Sequence, residues 1–310
     1  MLRTDRRMIR NVVLVFTAGV FGTTAASADE PWSFTGWKPV AGNPVFRGTG
    51  ADTWDRMIRE RGFILIDDAG TYNLWYTGYS GPKPETMSLG HATSRDGLHW
   101  TRDAANPVFK DAWVEDVCVV RQDGVYQMFA EGKGDVAHRL SSPDGVHWTD
   151  FGSLDVRKTD GSPIPPGPYG TPTAWYEDGV WYLFYERRDA GIWLATSRDL
   201  KTWTNVQDDP VIARGPEPFD RAMIAVNQVV RRGEYYYIFY HALADPNVRD
   251  WTTNIARSKD LIHWEKYAKN PIIGGNCSSA VLVPTPNGDR LYTMHPEVKA
   301  FEPAATPEDP

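Results

Sequence analysis

A block that returns four times along the chain limits the possible folds more than any other feature. Each copy is a Ser-x-Asp turn with a tryptophan behind it: Ser94-Arg95-Asp96 to Trp100, Ser142-Pro143-Asp144 to Trp148, Ser197-Arg198-Asp199 to Trp203, and Ser258-Lys259-Asp260 to Trp264. In most copies a Pro-Val or Pro-Ile step follows, as in Asn106-Pro107-Val108, Asp209-Pro210-Val211 and Asn270-Pro271-Ile272. Self-similarity at a period of roughly 40 to 60 residues, with strand-like sequence between copies, is the signature of a radial array of small sheets. The chain therefore reads as an all-β propeller.

The two ends set the blade count. Trp37 is followed by Asn43-Pro44-Val45-Phe46, the same spacing with no blade in front of it, and the last repeat, from Asn276 to about Glu297, lacks a tryptophan turn. An N-terminal strand that completes the C-terminal blade would remove two free sheet edges and give five blades. Each repeat opens on an apolar strand, turns at Gly or Asp-Gly, and continues as an alternating aromatic strand. The openings are Phe63 to Ile66, Val117 to Val120, Thr173 to Tyr176, Ala225 to Val230 and Ala280 to Val283.

Arg3, Arg6, Arg7 and Arg10 precede the apolar run Val12 to Phe21, and Ala26-Ser27-Ala28 has the small-residue pattern of a cleavage site. Residues 1–28 thus read as a signal peptide, 29–299 as the propeller and 300–310, rich in proline and acid, as a disordered tail. The expected location is secreted or periplasmic, with no membrane contact after cleavage; a retained anchor is the alternative. A net charge of -7 and the lack of a basic stripe exclude a nucleic-acid role. Cys118 and Cys277 fall in blades that are not neighbours, so a disulfide between them would have to cross the axis.

First strands line a propeller's channel, and second strands run back beside them, so the starts of the former and the ends of the latter share one mouth. Asp52, Asp55 and Arg56 stand before the first strand of blade one, Glu115 and Asp116 in blade two, Tyr169 and Thr171 in blade three, Asp220 and Arg221 in blade four. Thr77, Glu131, Glu186 and His241 end the second strands, with His295 or Glu297 closing the set. Several acids around one opening repel each other, which drives their pKa values apart as acid and base roles require. Alternatively, Glu131 and Glu186 serve ion pairs with Arg59, Arg187 or Arg188. The run Trp54-Asp55-Arg56 echoes Phe219-Asp220-Arg221. Such a pair reads either as two structural clips or as an aspartate at work beside an arginine that orients it or binds an acidic sugar; here Asp55 is placed in the catalytic set, and Asp220, the weaker candidate, is expected to bind substrate together with Asp52, Arg56, Glu115, Glu131, Tyr169, Thr171, Arg221 and His295. Asp96, Asp144, Asp199 and Asp260 belong to turns, and His99, His147 and His263 to outer strands.

In its Asp-Gly-x-Tyr hairpins and its blocks at Ala92 to Trp100 and Ala195 to Trp203, the chain resembles the five-bladed propeller glycosidases of glycoside hydrolase families 43, 32, 117 and 130. The resemblance covers nearly all of the mature chain. It implies a base at Asp55 or Asp52, a second-blade pair in Glu115 and Asp116, and an acid from blade three. Glu115-Asp116 looks like the start of the Glu-Asp-Pro-Arg run of family 130, with Val117-Cys118 in place of Pro-Arg. Where family 43 has Glu-Gly-Pro, this chain has Gly170-Thr171-Pro172, so Glu186 or His241 is expected to supply the proton. The combined expectation is a glycoside hydrolase that removes terminal sugars from an oligo- or polysaccharide through Asp55, Asp116, Glu186 and His241. The alternative is a propeller that binds carbohydrate without acting on it. No cofactor is required, although His241, His295 and the acids could hold a divalent cation on the axis.

Overall fold

The computed structural model describes residues 31–81 and 87–304. The expected signal peptide lies outside them, as does the tail beyond residue 304. Five four-stranded antiparallel units make the propeller. Blade one is Met57–Ile66, Tyr72–Tyr79, Ser88–Ser94 and Trp100–Arg102; blade two is Glu115–Gln122, Val125–Gly132, Val136–Ser142 and Thr149–Ser153. Blade three is Gly170–Glu177, Val180–Glu186, Gly191–Ser197 and Thr202–Asn205, widened by Asp155–Arg157 and Ile212–Ala213. Blade four is Met223–Arg232, Tyr235–Leu243, Thr252–Ser258 and Glu265–Lys266, and blade five is Ser278–Thr285, Gly288–His295 and Lys299–Pro303. The strand Trp37–Pro39 pairs antiparallel with Lys299–Pro303 on the outside of blade five. Residues 300–303 are therefore sheet and not tail: Ala300 and Phe301 are buried against the blade, and that apolar burial outweighs the local proline and acid content.

The recurring turn is built from its own side chains. Ser94 Oγ accepts from Gly97 N at 2.9 Å, and Asp96 Oδ1 accepts from Leu98 N and His99 N at 2.8 and 2.9 Å. Asp144 and Asp260 repeat this arrangement, and Asp199 does so with Lys201 and Thr202. The tryptophans behind these turns fill the seams between sheets; Trp203 is fully buried with its ring edge-on to Phe129. The hairpin at Asp123-Gly124 takes φ of 50° and 79°, the left-handed pair that a two-residue turn demands.

On the axis stands Arg61, with no exposed surface. Its guanidinium donates to carbonyls of Asp116, Val117, Pro172, Val226 and Asn227 and to Thr173 Oγ1, so one cation ties four blades together. Desolvation of that charge is offset because every contact is a hydrogen bond to an oxygen. Both cysteines are buried and unpaired; Cys118 Sγ accepts from Ala174 N at 3.4 Å.

Candidate active site

The same irregularity interrupts the first strand of the first four blades. The register slips between Arg59 and Phe63, Glu115 and Cys118, Gly170 and Thr173, and Val226 and Gln228, while the fifth blade keeps one register on both sides of Ser279. Glu60, Asp116 and Thr171 within the slips, and Ser279 at the equivalent place in blade five, have φ of 56°, 48°, 46° and 59°. Non-glycine residues adopt that region only where the surroundings impose it, and such bulges re-aim side chains. At the mouth end of each first strand stands a cross-strand pair: Arg59 with Thr77, Glu115 with Glu131, Gly170 with Glu186, Ala225 with His241, and Ser278 with His295. The five second-strand ends thus occupy one level of the ring.

The acids of this level are close enough to act on one another. Oxygens of Glu115, Glu131 and Asp135 lie within 4.8 Å of each other. A Cβ on Gly170 would overlap Glu131 Oε2 and lie 3.2 Å from Glu186 Oε1, so the missing side chain is what lets the two carboxylates approach. Thr171 N donates to Glu131 Oε2 at 2.7 Å, and Asp189 N to Glu186 Oε2 at 2.7 Å. Burial, then the charge of Asp116, pushes Glu115 up to about 7. Glu186 also rises to about 7, chiefly through burial, and Asp116 to about 6 through burial and the charge of Glu60. Glu131 is held well above the usual carboxylate range by burial and by Asp116 and Glu115.

Glu60 behaves oppositely. Burial favours its neutral form, but His295 and Arg59 outweigh that and hold it at about 2. Arg59 Nε donates to Glu60 Oε1 at 2.8 Å, and His295 Nδ1 lies 3.5 Å from Glu60 Oε2. His241, edge-on to Trp251 and 2.8 Å from the amide of Asn227, is pushed down to about 4 by burial. Burial thus disfavours its charged form, and its Nδ1 is engaged with Asn227. Arg59, Glu60, Tyr79, His241, Trp251 and His295 line a cavity of about 510 Å³. A larger cavity of about 890 Å³ is lined by the later halves of the first strands, from Phe63, Val119, Trp175 and Val229 to Leu282. Its two arginines are paired, Arg121 with Asp68 and Arg231 with Glu177, whereas Glu60, His241 and His295 line the smaller cavity, whose Arg59 lies 3.7 Å from Glu115.

Asp55 sits outside this set. Its carboxylate is 2% exposed, receives Arg102 Nε at 2.7 Å, Tyr76 OH at 3.1 Å and Thr53 Oγ1 at 3.0 Å, and holds the strand edge of blade one. Asp220 repeats the clip in blade four with Lys266 at 2.6 Å, Tyr240 OH at 3.3 Å and Gly215 N at 3.0 Å. Both members of the sequence echo are therefore structural, and the catalytic role expected for Asp55 is corrected. The cation in each clip comes from the fourth strand, not from the adjacent Arg56 or Arg221, which are exposed. Asp52 is an exposed loop residue, and Tyr169 is tied by its hydroxyl to Leu154 O at 2.9 Å. Thr171 serves the site by holding Glu131. Metal-ligand spacing among the described residues occurs at Glu115, Glu131 and Asp135 and not at His241 and His295.

Sequence reading missed Glu60, Asp135 and Asp189. A signal for Glu60 existed: Arg59-Glu60-Arg61-Gly62 is a charged run just before the apolar Phe63, as Glu115-Asp116 stands before Val117.

No family model matches the chain. It is 26% identical over 292 residues to a 1,2-β-oligomannan phosphorylase of Thermoanaerobacter, spanning 83% of this chain and 92% of that protein. A glycosyl hydrolase from Bacteroides ovatus superposes with a TM-score of 0.73 at 17% identity, over 88% of this chain and 96% of the other. A structure from the GH130 family of mannoside phosphorylases, which contains glycoside hydrolases that target β-1,2-mannosidic linkages in Candida mannan, superposes at 0.71 and 17% identity, over 91% and 98% of the two chains. The chain thus has the five-bladed propeller fold of glycosidases and mannoside phosphorylases, a fold that supports action on carbohydrate.

Proposed function

We propose that this chain, after export, cleaves the glycosidic bond of a terminal sugar seated in the cavity beside Glu60, His241 and His295. The observation that carries the reading is the split among neighbouring carboxyls: Glu60 is held ionised while Glu115 and Glu186 stand at about 7. A cationic sugar centre gains from the first, and proton transfer near neutrality needs the others. Glu115 Oε2 is buried without a hydrogen-bond partner and has Arg59 Nε 3.7 Å away, so a proton placed there has no acceptor in the protein and suits transfer to the leaving oxygen. Glu186 receives the Asp189 N–H, which favours its ionised form and suits it to take the proton of the attacking nucleophile. Trp251 and Tyr79 offer flat apolar faces for a sugar ring.

Water is the nucleophile in the first reading. Phosphate is the second, favoured by Arg249 and His295 in the same cavity and by the similarity to an oligomannan phosphorylase. Incubating the protein with β-1,2-mannobiose and a panel of other oligosaccharides, with and without inorganic phosphate, separates them: free sugar in both arms means hydrolysis, and a sugar phosphate formed only with phosphate means phosphorolysis. Binding with no product in either arm would leave a carbohydrate-binding propeller and overturn the proposal.

A further inference from the structure

The cavity beside Glu60 does not end at Met223 and Pro246. The same two residues wall a second cavity of about 490 Å³, which Arg214 and Arg221 also line. A ligand longer than the first cavity therefore passes over this shared wall and meets two guanidinium groups. Each arginine is anchored by one bond to the backbone: Arg214 Nη1 donates to Ala222 O and Arg221 Nε to Ala244 O, both at 2.9 Å. Those bonds set the direction of the stems and leave most of each five-donor fork for a ligand. The cavity's own carboxylate, Asp245, accepts from Asn247 through its backbone N–H and its side-chain amide, both at 2.9 Å, and the charges of Asp245 and Asp189 are felt by Arg221 and Arg214 without a hydrogen bond to either guanidinium. The connection 244–251 that forms the wall is pinned at its far end, where Asn276 N donates to Asp250 Oδ1 at 2.7 Å. It is a built edge, and it also carries Arg249 into the first cavity. Three arginines along one groove are a local exception in a chain of net charge -7.

We propose that this arginine cleft binds an acidic substituent, a carboxylate or a sulfate ester, on the saccharide beyond the sugar that is cleaved. The inference rests on the reading of the first cavity as the place of cleavage. Planar or tetrahedral oxyanions match the guanidinium fork, and in a partly enclosed groove such charge-assisted bonds discriminate against a neutral analogue.

The test is a binding screen of uronate-containing and sulfated oligosaccharides against their carboxyl-reduced and desulfated counterparts, with the full chain and with Arg214→Gln/Arg221→Gln. Acidic members are expected to bind about tenfold more tightly than their neutral counterparts, the worth of one charged hydrogen-bonded contact. That preference should vanish in the double variant, with neutral binding unchanged. Arg214→Lys/Arg221→Lys, which keeps the charge, should retain part of the preference, and added salt should weaken it. Equal binding of acidic and neutral members, or a preference that survives the glutamine variant, overturns the proposal. So does a titration in which inorganic phosphate alone needs both arginines while the charge of the saccharide is irrelevant. Cleavage of neutral substrates without any acidic preference would remove the cleft and keep the catalytic reading. An arginine-dependent preference with no cleavage would keep the cleft and remove that reading.

Discussion

At the scale of single residues the site is a problem of too many carboxyls in too little water, solved by giving each a different environment. Glu60 has cationic neighbours, Glu115 has Asp116, and Glu186 has an N–H donor. Glu115→Gln and Glu186→Gln should each lower turnover by about 10²- to 10⁴-fold, the range for losing a general acid or base. Initial rates on a validated substrate check this, and full activity in either variant would remove that residue from the proposed chemistry. The raised values also carry a stability signature. A carboxyl whose folded pKa lies above its unfolded value stabilises the fold below the unfolded pKa, and that contribution is lost as pH rises through the folded one. The contributions of Glu115 and Glu186 should therefore fall between about pH 4.5 and 7. In Glu186→Gln, melting temperature should decline less steeply over that window. Glu60, with its lowered pKa, works the other way: its contribution is present above pH 4.5 and is lost as pH falls toward about 2.

At the scale of elements, the bulge in the first strand of blades one to four and the clips behind blades one and four are separate devices. Asp55 was the residue that chain position favoured for catalysis, because it precedes the first strand as Glu115 and Asp116 do. The bulge explains the misplacement: blade one starts its strand at Met57 and inserts extra residues between Arg59 and Phe63, so Glu60, not Asp55, reaches the mouth. Asp55→Asn should cost about 2 kcal/mol or more, because it weakens a buried contact with Arg102, while activity per folded molecule is preserved. Denaturant melts alongside active-site titration would show it. Gly170→Ala predicts the reverse pattern. A methyl there displaces Glu131 and crowds Glu186, so turnover should fall by about a hundredfold, the usual consequence of a shift near 1 Å in a catalytic group, with little change in the far-ultraviolet spectrum.

At the scale of the whole molecule, the channel is closed by one side chain. Arg61→Met removes donors from carbonyls of blades two, three and four at once. Orphaning buried partners of a charged group costs about 3–5 kcal/mol, so the variant should unfold at markedly lower denaturant concentration; an unchanged midpoint would refute the axial role given to Arg61. The ring was legible in the chain because four blades repeat the same local chemistry: the Ser-x-Asp turns satisfy their hydrogen bonds within a few residues, and a tryptophan stands behind each of them. The level ring of second-strand ends, Thr77, Glu131, Glu186, His241 and His295, was legible for the same reason, since equivalent places in a repeat end up at equivalent heights. What sequence left open was decided between blades. Whether a carboxylate meets Arg102, Arg59 or another carboxylate depends on residues tens of positions away, and on strand slips that leave no mark in a period-two pattern. Turn chemistry is local and survives as a motif; charge pairing and desolvation are through-space, and exist only once the five sheets have closed around the axis.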